Sequence, residues 1–190
     1  MHHRFENADE WAKVFDDPDR DQWQQPERVI EALALAPKMT VADVGAGTGY
    51  FAVRLARALP DGKVIATDVE EDMVRYMTDR ALREKVANLV PQLTPTDDPK
   101  LGAGTMDRIL VVDVWHHLGD RRAYAAKLAA ALRPGGFVAI VDFKLDAERG
   151  PPVAMRLPAD SIAADLAAAG LTTEVSKIEL PDQYIVIARR

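Results

Sequence analysis

From about residue 38 onward, the apolar positions switch repeatedly between two periods. Short β-branched runs, apolar throughout, give way to Ala/Leu-rich stretches in which apolar residues recur every three or four positions. The first run, Val41 to Val44, predicts a buried strand. A helix follows from about Thr48 to Leu59, where Pro60-Asp61-Gly62 stops it with turn chemistry. Lys63 to Asp68 reads as a second strand and Glu70 to Glu84 as a second helix. Val74, Met77 and Ala81 form the apolar face of that helix, and Glu70, Glu71 and Asp72 suit the positive end of its dipole. Asn88 to Leu93 is a third strand, and the Pro- and Asp-rich stretch from Thr94 to Gly104 a loop. Asp107 to Asp113 is a fourth strand, whose unbroken Ile109-Leu110-Val111-Val112 run fits burial on both faces of a sheet.

Asp120 caps a predicted helix that runs to Leu132 and ends at Arg133-Pro134-Gly135-Gly136, before a fifth strand from Phe137 to Phe143. Pro158 to Ala169 is helical, with Gly170 at its C-terminal cap. Two last strands, Thr172 to Leu180 and Gln183 to Ala188, are joined by Pro181-Asp182, a connection short enough for an antiparallel hairpin. Upstream, Pro26 to Ala36 reads as a helix with proline at its first position and Pro37 just past its end. Residues 1–25 differ: rich in Asp, Gln and aromatics (Phe5, Trp11, Phe15, Trp23), they read as a flap laid over the remaining core, 26–190. Strand–helix alternation implies a mostly parallel sheet with helices on both faces, which binds ligands at the carboxyl ends of its strands.

Composition narrows the classes. At 190 residues the chain is most simply one domain, large enough to fold without staples. Its 24 basic and 30 acidic residues leave a net charge of −6, which argues against a nucleic-acid partner held by phosphate neutralisation. Cysteine is absent, so disulfides, thiolate metal sites and cysteine nucleophiles are excluded. No apolar run approaches the ~20 residues of a membrane span, and the start, Met1 to Phe5, carries no apolar targeting region. The expectation is a soluble, cytoplasmic protein without a membrane partner.

The most informative segment is Val41-Ala42-Asp43-Val44-Gly45-Ala46-Gly47-Thr48-Gly49-Tyr50: a strand end, a glycine-rich turn and a helix start. Glycines let a backbone turn sharply and approach a ligand closely, and a helix amino end attracts anions. A dinucleotide fingerprint would place its third glycine where Tyr50 stands, which disfavours a nicotinamide-dependent oxidoreductase, and no Gly-Lys-Ser/Thr follows to make a phosphate loop. Asp43-x-Gly45-x-Gly47-x-Gly49 instead resembles the first motif of the class I S-adenosylmethionine (SAM)-dependent methyltransferases. Val64-Ile65-Ala66-Thr67-Asp68, 23 positions after the first glycine, looks like the family's second strand, and Leu132 to Gly136 like its helix-to-fifth-strand turn. The terminal hairpin fits the antiparallel strand that separates this family from dehydrogenases.

The resemblance covers nearly the whole chain. It implies an α/β fold with a Rossmann-like, doubly wound seven-stranded sheet, mostly parallel, with an antiparallel C-terminal hairpin strand. It implies SAM as cofactor and S-adenosylhomocysteine as product. The backbone at Gly45, Ala46, Gly47 and Gly49 would hold the methionyl end, with Asp43 orienting the loop or the ammonium. Asp68 would take both ribose hydroxyls, although an acid there can also cap the following helix. Val69 and Met73 would pack near adenine, with core packing as the alternative for Met73. Asp97 or Asp98 would meet the adenine amino group, or lie in a solvated loop, and Asp113 would line the methionyl side.

SAM itself carries the reactive methyl group, and orientation of the acceptor supplies much of the rate. Trp115-His116-His117-Leu118 falls at the cofactor end of the fourth strand, so His116 or His117 is a candidate base. The alternative has His117 packing structurally and His116 in solvent. No further His/Cys cluster accompanies them, so no metal is expected. Asp142 and Lys144 line the acceptor side or form an ordinary salt bridge, and Arg20, Trp23 and Gln24 close over the cofactor or simply pack. After the fourth strand stands Asp113-Val114-Trp115-His116, not the Asn/Asp-Pro-Pro-aromatic motif of base-amino methylation. The short connection from Leu145 to Leu157 leaves no room for a large substrate domain, which points to a small-molecule acceptor methylated on O, N or C. The alternative is a SAM-binding protein without methyl transfer, a sensor or inactive partner subunit.

Overall fold

The apolar runs become strands whose alternate residues feed two separate cores. In the computed structural model, which describes residues 7–190, these are β1 (Thr40–Val44), β2 (Lys63–Asp68), β3 (Leu89–Leu93), β4 (Met106–Val112), β5 (Leu132–Phe143), β6 (Thr172–Val175) and β7 (Gln183–Arg189). They form one sheet in the order β3-β2-β1-β4-β5-β7-β6. All pairs are parallel except those of β7, which runs antiparallel to both β5 and β6. The sheet is the Rossmann-like, mostly parallel α/β sheet expected.

Side-chain alternation decides the layers. Leu110 and Val112 of β4 and Ala139 and Val141 of β5 point to one face, covered by α3 (Pro26–Ala32), α4 (Tyr50–Ala58) and α5 (Glu71–Arg83). Ile109 and Val111, with Val138 and Ile140, point to the other, covered by α6 (Arg121–Ala131) and α7 (Ala159–Ala167). Asp120 caps α6 as its sequence suggests, accepting from the Ala123 N–H at 3.0 Å. Among the described residues no helix is long and apolar enough to cross a membrane.

Two expectations need correcting. The helix predicted from Pro26 to Ala36 stops at Ala32, and Ala34 takes a left-handed φ of 46°, which ends the helix well before Pro37. The terminal strands are antiparallel, but β6 stops at Val175, so residues 176–182 form a longer connection instead of a two-residue turn. Ser176 N–H still donates to Ile185 O at 2.8 Å before the chain leaves the sheet.

The segment read as a flap holds α1 (Ala8–Phe15) and α2 (Arg20–Gln24). Its Phe5, with all of residues 1–6, lies outside the described residues. α1 runs along α5: Ala8 N–H donates to Asp72 Oδ2 at 3.0 Å, and Asp16 pairs with Arg80 at 2.8 Å. Asp21 bonds the Tyr50 hydroxyl and pairs with Arg54 at 2.8 Å, which ties α2 to α4. The described part of this segment therefore packs on α5 and on the start of α4.

Candidate functional site

The glycine turn between β1 and α4 is shaped by backbone geometry that only glycine meets cheaply. Gly45, Gly47 and Gly49 have φ of +73°, +56° and +86°. At Gly45 space adds to conformation, because a Cβ there would stand 2.4 Å from Val114 Cγ2. The turn is also tied down by its own amides. Gly45 and Ala46 N–H donate to Thr67 O at 2.8 and 2.9 Å, Gly47 N–H to Asp68 Oδ2 at 2.8 Å, and Gly49 N–H to Ala46 O at 2.9 Å.

Side chains supply what the amides have spent. Asp43 and Thr48 are buried at 2% and 1% exposure, yet Asp43 Oδ2 and Thr48 Oγ1 have no hydrogen-bond partner among the described residues. A buried polar atom without a partner costs about 1–3 kcal/mol, so two of them around one glycine turn fit a polar ligand. Burial pushes the Asp43 carboxyl up to about 7; Arg20 opposes this, Asp68 adds to it and the Ala52 N–H opposes it. Asp68 accepts the Gly47 N–H through Oδ2 and the Glu70 N–H, at 3.0 Å, through Oδ1. It thus holds the entry to α5, and each oxygen keeps a further lone pair. Burial raises its pKa, against those same N–H groups.

β4 and β7 complete the far side. Asp113 has a left-handed φ of 60°, a conformation that costs a non-glycine residue roughly 1–3 kcal/mol and clusters at functional sites. Its N–H donates to Val141 O at 3.0 Å, and its carboxyl is pushed up to about 7 by burial, with Arg20 as the main opposing charge. Gln183 Nε2 donates to Asp113 Oδ1, and Gln24 Nε2 donates to Gln183 Oε1, so a buried amide chain links the flap to the end of β4. Arg20 stacks 3.9 Å over the Tyr50 ring, and Phe15 lies 3.4 Å from where a Gly47 Cβ would stand.

The ends of β2 and β3 form the other flank of the turn. Val69 is exposed at the end of β2, while Met73 is buried at 1%. Asp97 is in solvent, with Lys127 Nζ 3.9 Å from its carboxylate, whereas Asp98 Oδ1 accepts the Lys100 N–H at 2.8 Å within its own turn. Tyr124, absent from the sequence reading, is buried here. Burial raises its pKa, and Asp98, Asp68 and Asp97 act on it in the same direction.

Beyond the end of β4, His116 is not in solvent. Its side chain is 3% exposed, and Nδ1 lies 2.9 and 3.1 Å from the two oxygens of the fully buried Asp142. β5 and the Trp115–His117 turn bring this pair together; the His117 ring lies beside His116, tilted by 46°, at 4.2 Å between ring centroids. Lys144 does not bridge to Asp142, because its Nζ donates to Leu180 O at 2.7 Å and Pro181 O at 3.1 Å. Trp23, Lys144, Glu148 and Asp182 line a cavity of about 630 Å³ between α2 and the loops after β5 and before β7. That size suits a small molecule. Among the described residues no three His, Asp or Glu side chains come together to hold a metal ion.

Thr48 and Gln183 were missed by sequence reasoning. Thr48 lies inside the motif and could have been found there. Gln183 reaches the site only because β7 runs antiparallel, which sets Gln183 opposite Phe143 at the carboxyl end of β5.

Residues 42–138 match the family described as "Methyltransferase domain". The chain is 27% identical to a SAM-dependent methyltransferase from Aquifex aeolicus, whose crystal structure superposes with a TM-score of 0.88 over 96% of this chain and 98% of that one. It is 30% identical over 162 residues to the 27-O-demethylrifamycin SV methyltransferase of Amycolatopsis mediterranei, covering 78% of this chain and 59% of that one. It is 29% identical over 115 residues to an uncharacterized methyltransferase of Mycobacterium tuberculosis, covering 60% and 56%. The chain thus spans little more than half the length of these curated relatives.

Proposed function

The chain belongs to the class I SAM-dependent methyltransferases, and on that premise we propose that it transfers the methyl group of SAM to a small-molecule O, N or C acceptor. The observation that carries the reading is the pair of partnerless buried oxygens, Asp43 Oδ2 and Thr48 Oγ1, in a glycine turn that ends beside Asp68. In this reading Asp68 takes the ribose hydroxyls, Val69 the edge of adenine, and Asp43 and Asp113 the methionyl ammonium. Bound SAM supplies an electrophilic methyl on a sulfonium. The protein then has to orient the acceptor and exclude water, which the flap does by closing over the strand ends.

The cavity beside Trp23 supports a small acceptor, and the rifamycin-directed relative points the same way. Of the two histidines, His116 is the better base for an acceptor that arrives protonated. Asp142 holds Nδ1–H, which leaves Nε2 as the proton acceptor. In this reading the described residues 7–25 act as the flap, and 26–190 as the core of a single domain.

The test is incubation with methyl-labelled SAM and separate pools of hydroxylated and amine-bearing small molecules, RNA and protein. Label in a small molecule is expected. Label confined to a macromolecule refutes the acceptor class, and tight SAM binding without transfer in any pool favours a binding protein. Once an acceptor is in hand, His116→Gln should slow turnover, and an unchanged rate removes His116 from catalysis.

A further inference from the structure

As sequence, residues 145–157 are a short connection; folded, they wrap around one side chain. Arg156 donates through Nη1 to Ala147 O at 2.7 Å, Leu145 O at 3.1 Å and Lys144 O at 3.4 Å. Its Nε donates to Pro151 O at 2.9 Å and its Nη2 to Arg149 O at 3.3 Å. Every nitrogen of the guanidinium is thus spent on main-chain carbonyls of the loop and its root, and among the described residues Arg156 forms no ion pair. A planar fork of N–H donors can serve several carbonyls at fixed angles, which the three mobile donors of a lysine cannot.

The loop framed in this way is a wall of the cavity beside Trp23. Its outer edge is tied to the connection before β7: Asp182 Oδ1 accepts the Glu148 N–H at 3.0 Å, and Asp182 Oδ2 pairs with Arg149 Nε at 3.1 Å. Its underside lies on Phe143, where a Cβ on Gly150 would stand 2.5 Å from the ring. Across the cavity, Trp23 of α2 packs 5.9 Å from the Phe143 ring, and the Arg149 guanidinium lies 5.7 Å from the Trp23 ring. Asp146, Glu148 and Arg149 line the cavity, and Arg156 stands behind them. Among the described residues none of these bonds reaches the glycine turn or Asp68.

We propose that Arg156 is the positioning residue of the acceptor site: it holds residues 144–151 in one shape, so that the wall opposite Trp23 is formed before the acceptor arrives. This rests on the reading that the cavity beside Trp23 takes a small-molecule acceptor. A site that is only partly populated in its competent form binds with an apparent affinity reduced by that fraction. Loss of the frame therefore weakens acceptor binding and leaves the turn and Asp68, the proposed cofactor contacts, untouched.

The experiment compares the full chain as wild type, Arg156→Met and Arg156→Lys. Without ligand, the amides of residues 145–150 should exchange with deuterium at least about 10-fold faster in Arg156→Met than in wild type, with Arg156→Lys between them. SAM affinity, by calorimetric titration, should stay within about 3-fold in both variants, because neither state of the loop touches that site. For the acceptors that wild type labels in a pool of phenols, alcohols and primary amines, Arg156→Met should raise KM by about 10- to 100-fold and lower kcat by less than about 3-fold. Asp182→Ala cuts the outer tether of the same loop and should move exchange and KM in the same direction, which keeps the test open if Arg156→Met folds poorly. Faster exchange with an unchanged KM, unchanged exchange, or a loss of SAM affinity equal to that for the acceptor would overturn the proposal. Wild type that binds SAM but labels nothing in the pool overturns the small-acceptor reading along with it. Wild type that binds no SAM overturns the reading of the turn, a separate result.

Discussion

Asp43 should make the ligand-free protein less stable than it could be. Its carboxyl is 2% exposed, and its pKa is moved from 3.8 to about 7, mainly by burial. Above pH 7 the folded state carries an ionised group it disfavours by about 4 kcal/mol, taking 1.36 kcal/mol per pKa unit. Because the folded pKa is raised, this penalty is absent below about pH 4, grows between there and pH 7, and is complete above it. Asp43→Asn keeps the shape and removes the charge, but places an NH₂ where the buried oxygens stand, one of them partnerless, at a cost of about 1–3 kcal/mol. At pH 8 the variant should therefore gain about 2 kcal/mol, or roughly 4–8 °C in Tm for a domain of this size. At pH 5 the relieved penalty has shrunk to about 1.6 kcal/mol and the gain should vanish or reverse. Thermal melts of both proteins at pH 5 and 8, without cofactor, measure this, and the raised pKa values of Asp68 and Asp113 are common to both arms. A Tm difference that does not change with pH, or a variant less stable at pH 8, would refute the burial argument. The gain should come with weaker SAM binding, the trade expected where an acid is retained for a ligand.

Three further outcomes follow from the same geometry. SAM at 100 times its Kd should raise the wild-type Tm by roughly 5–11 °C, from about 2.7 kcal/mol of linkage, and Asp68→Ala should abolish the shift while NAD produces none. Gly45→Ala should lower stability by more than the ~1–2 kcal/mol of a left-handed alanine, because its Cβ meets Val114 Cγ2; adding Val114→Ala should return the excess but not the conformational part, as read by denaturant unfolding. Trp115→Ala should cost about 3–5 kcal/mol, since the ring is fully buried and its Nε1–H lies 3.4 Å from Asp165. Trp115→Phe should cost clearly less in the same assay.

Local chemistry made part of this protein legible in one dimension. The strands at Lys63–Asp68 and Ile109–Val112, the α6 cap at Asp120 and the glycine turn are all decided within a few residues by period, capping and φ, so their positions follow from the chain alone. Asp43 and Asp68 were identifiable because a strand–helix–strand unit has a fixed length, and that length carries both acids to the same sheet edge. What the tertiary structure decided is everything that depends on elements distant in sequence. Gln183 comes beside Asp113 only because β7 enters the sheet antiparallel, 70 positions later. Asp142 buries His116 only because β4 and β5 lie side by side, and Arg20 gathers with Asp43 and Asp113 only when the flap folds back. The pKa of an acid also waits on the fold, because burial is what moves it and the chain's sequence does not specify how dry a carboxyl will be. Local conformational preference was written in the sequence; desolvation and long-range pairing, which set the chemistry of the site, arise only when the sheet closes.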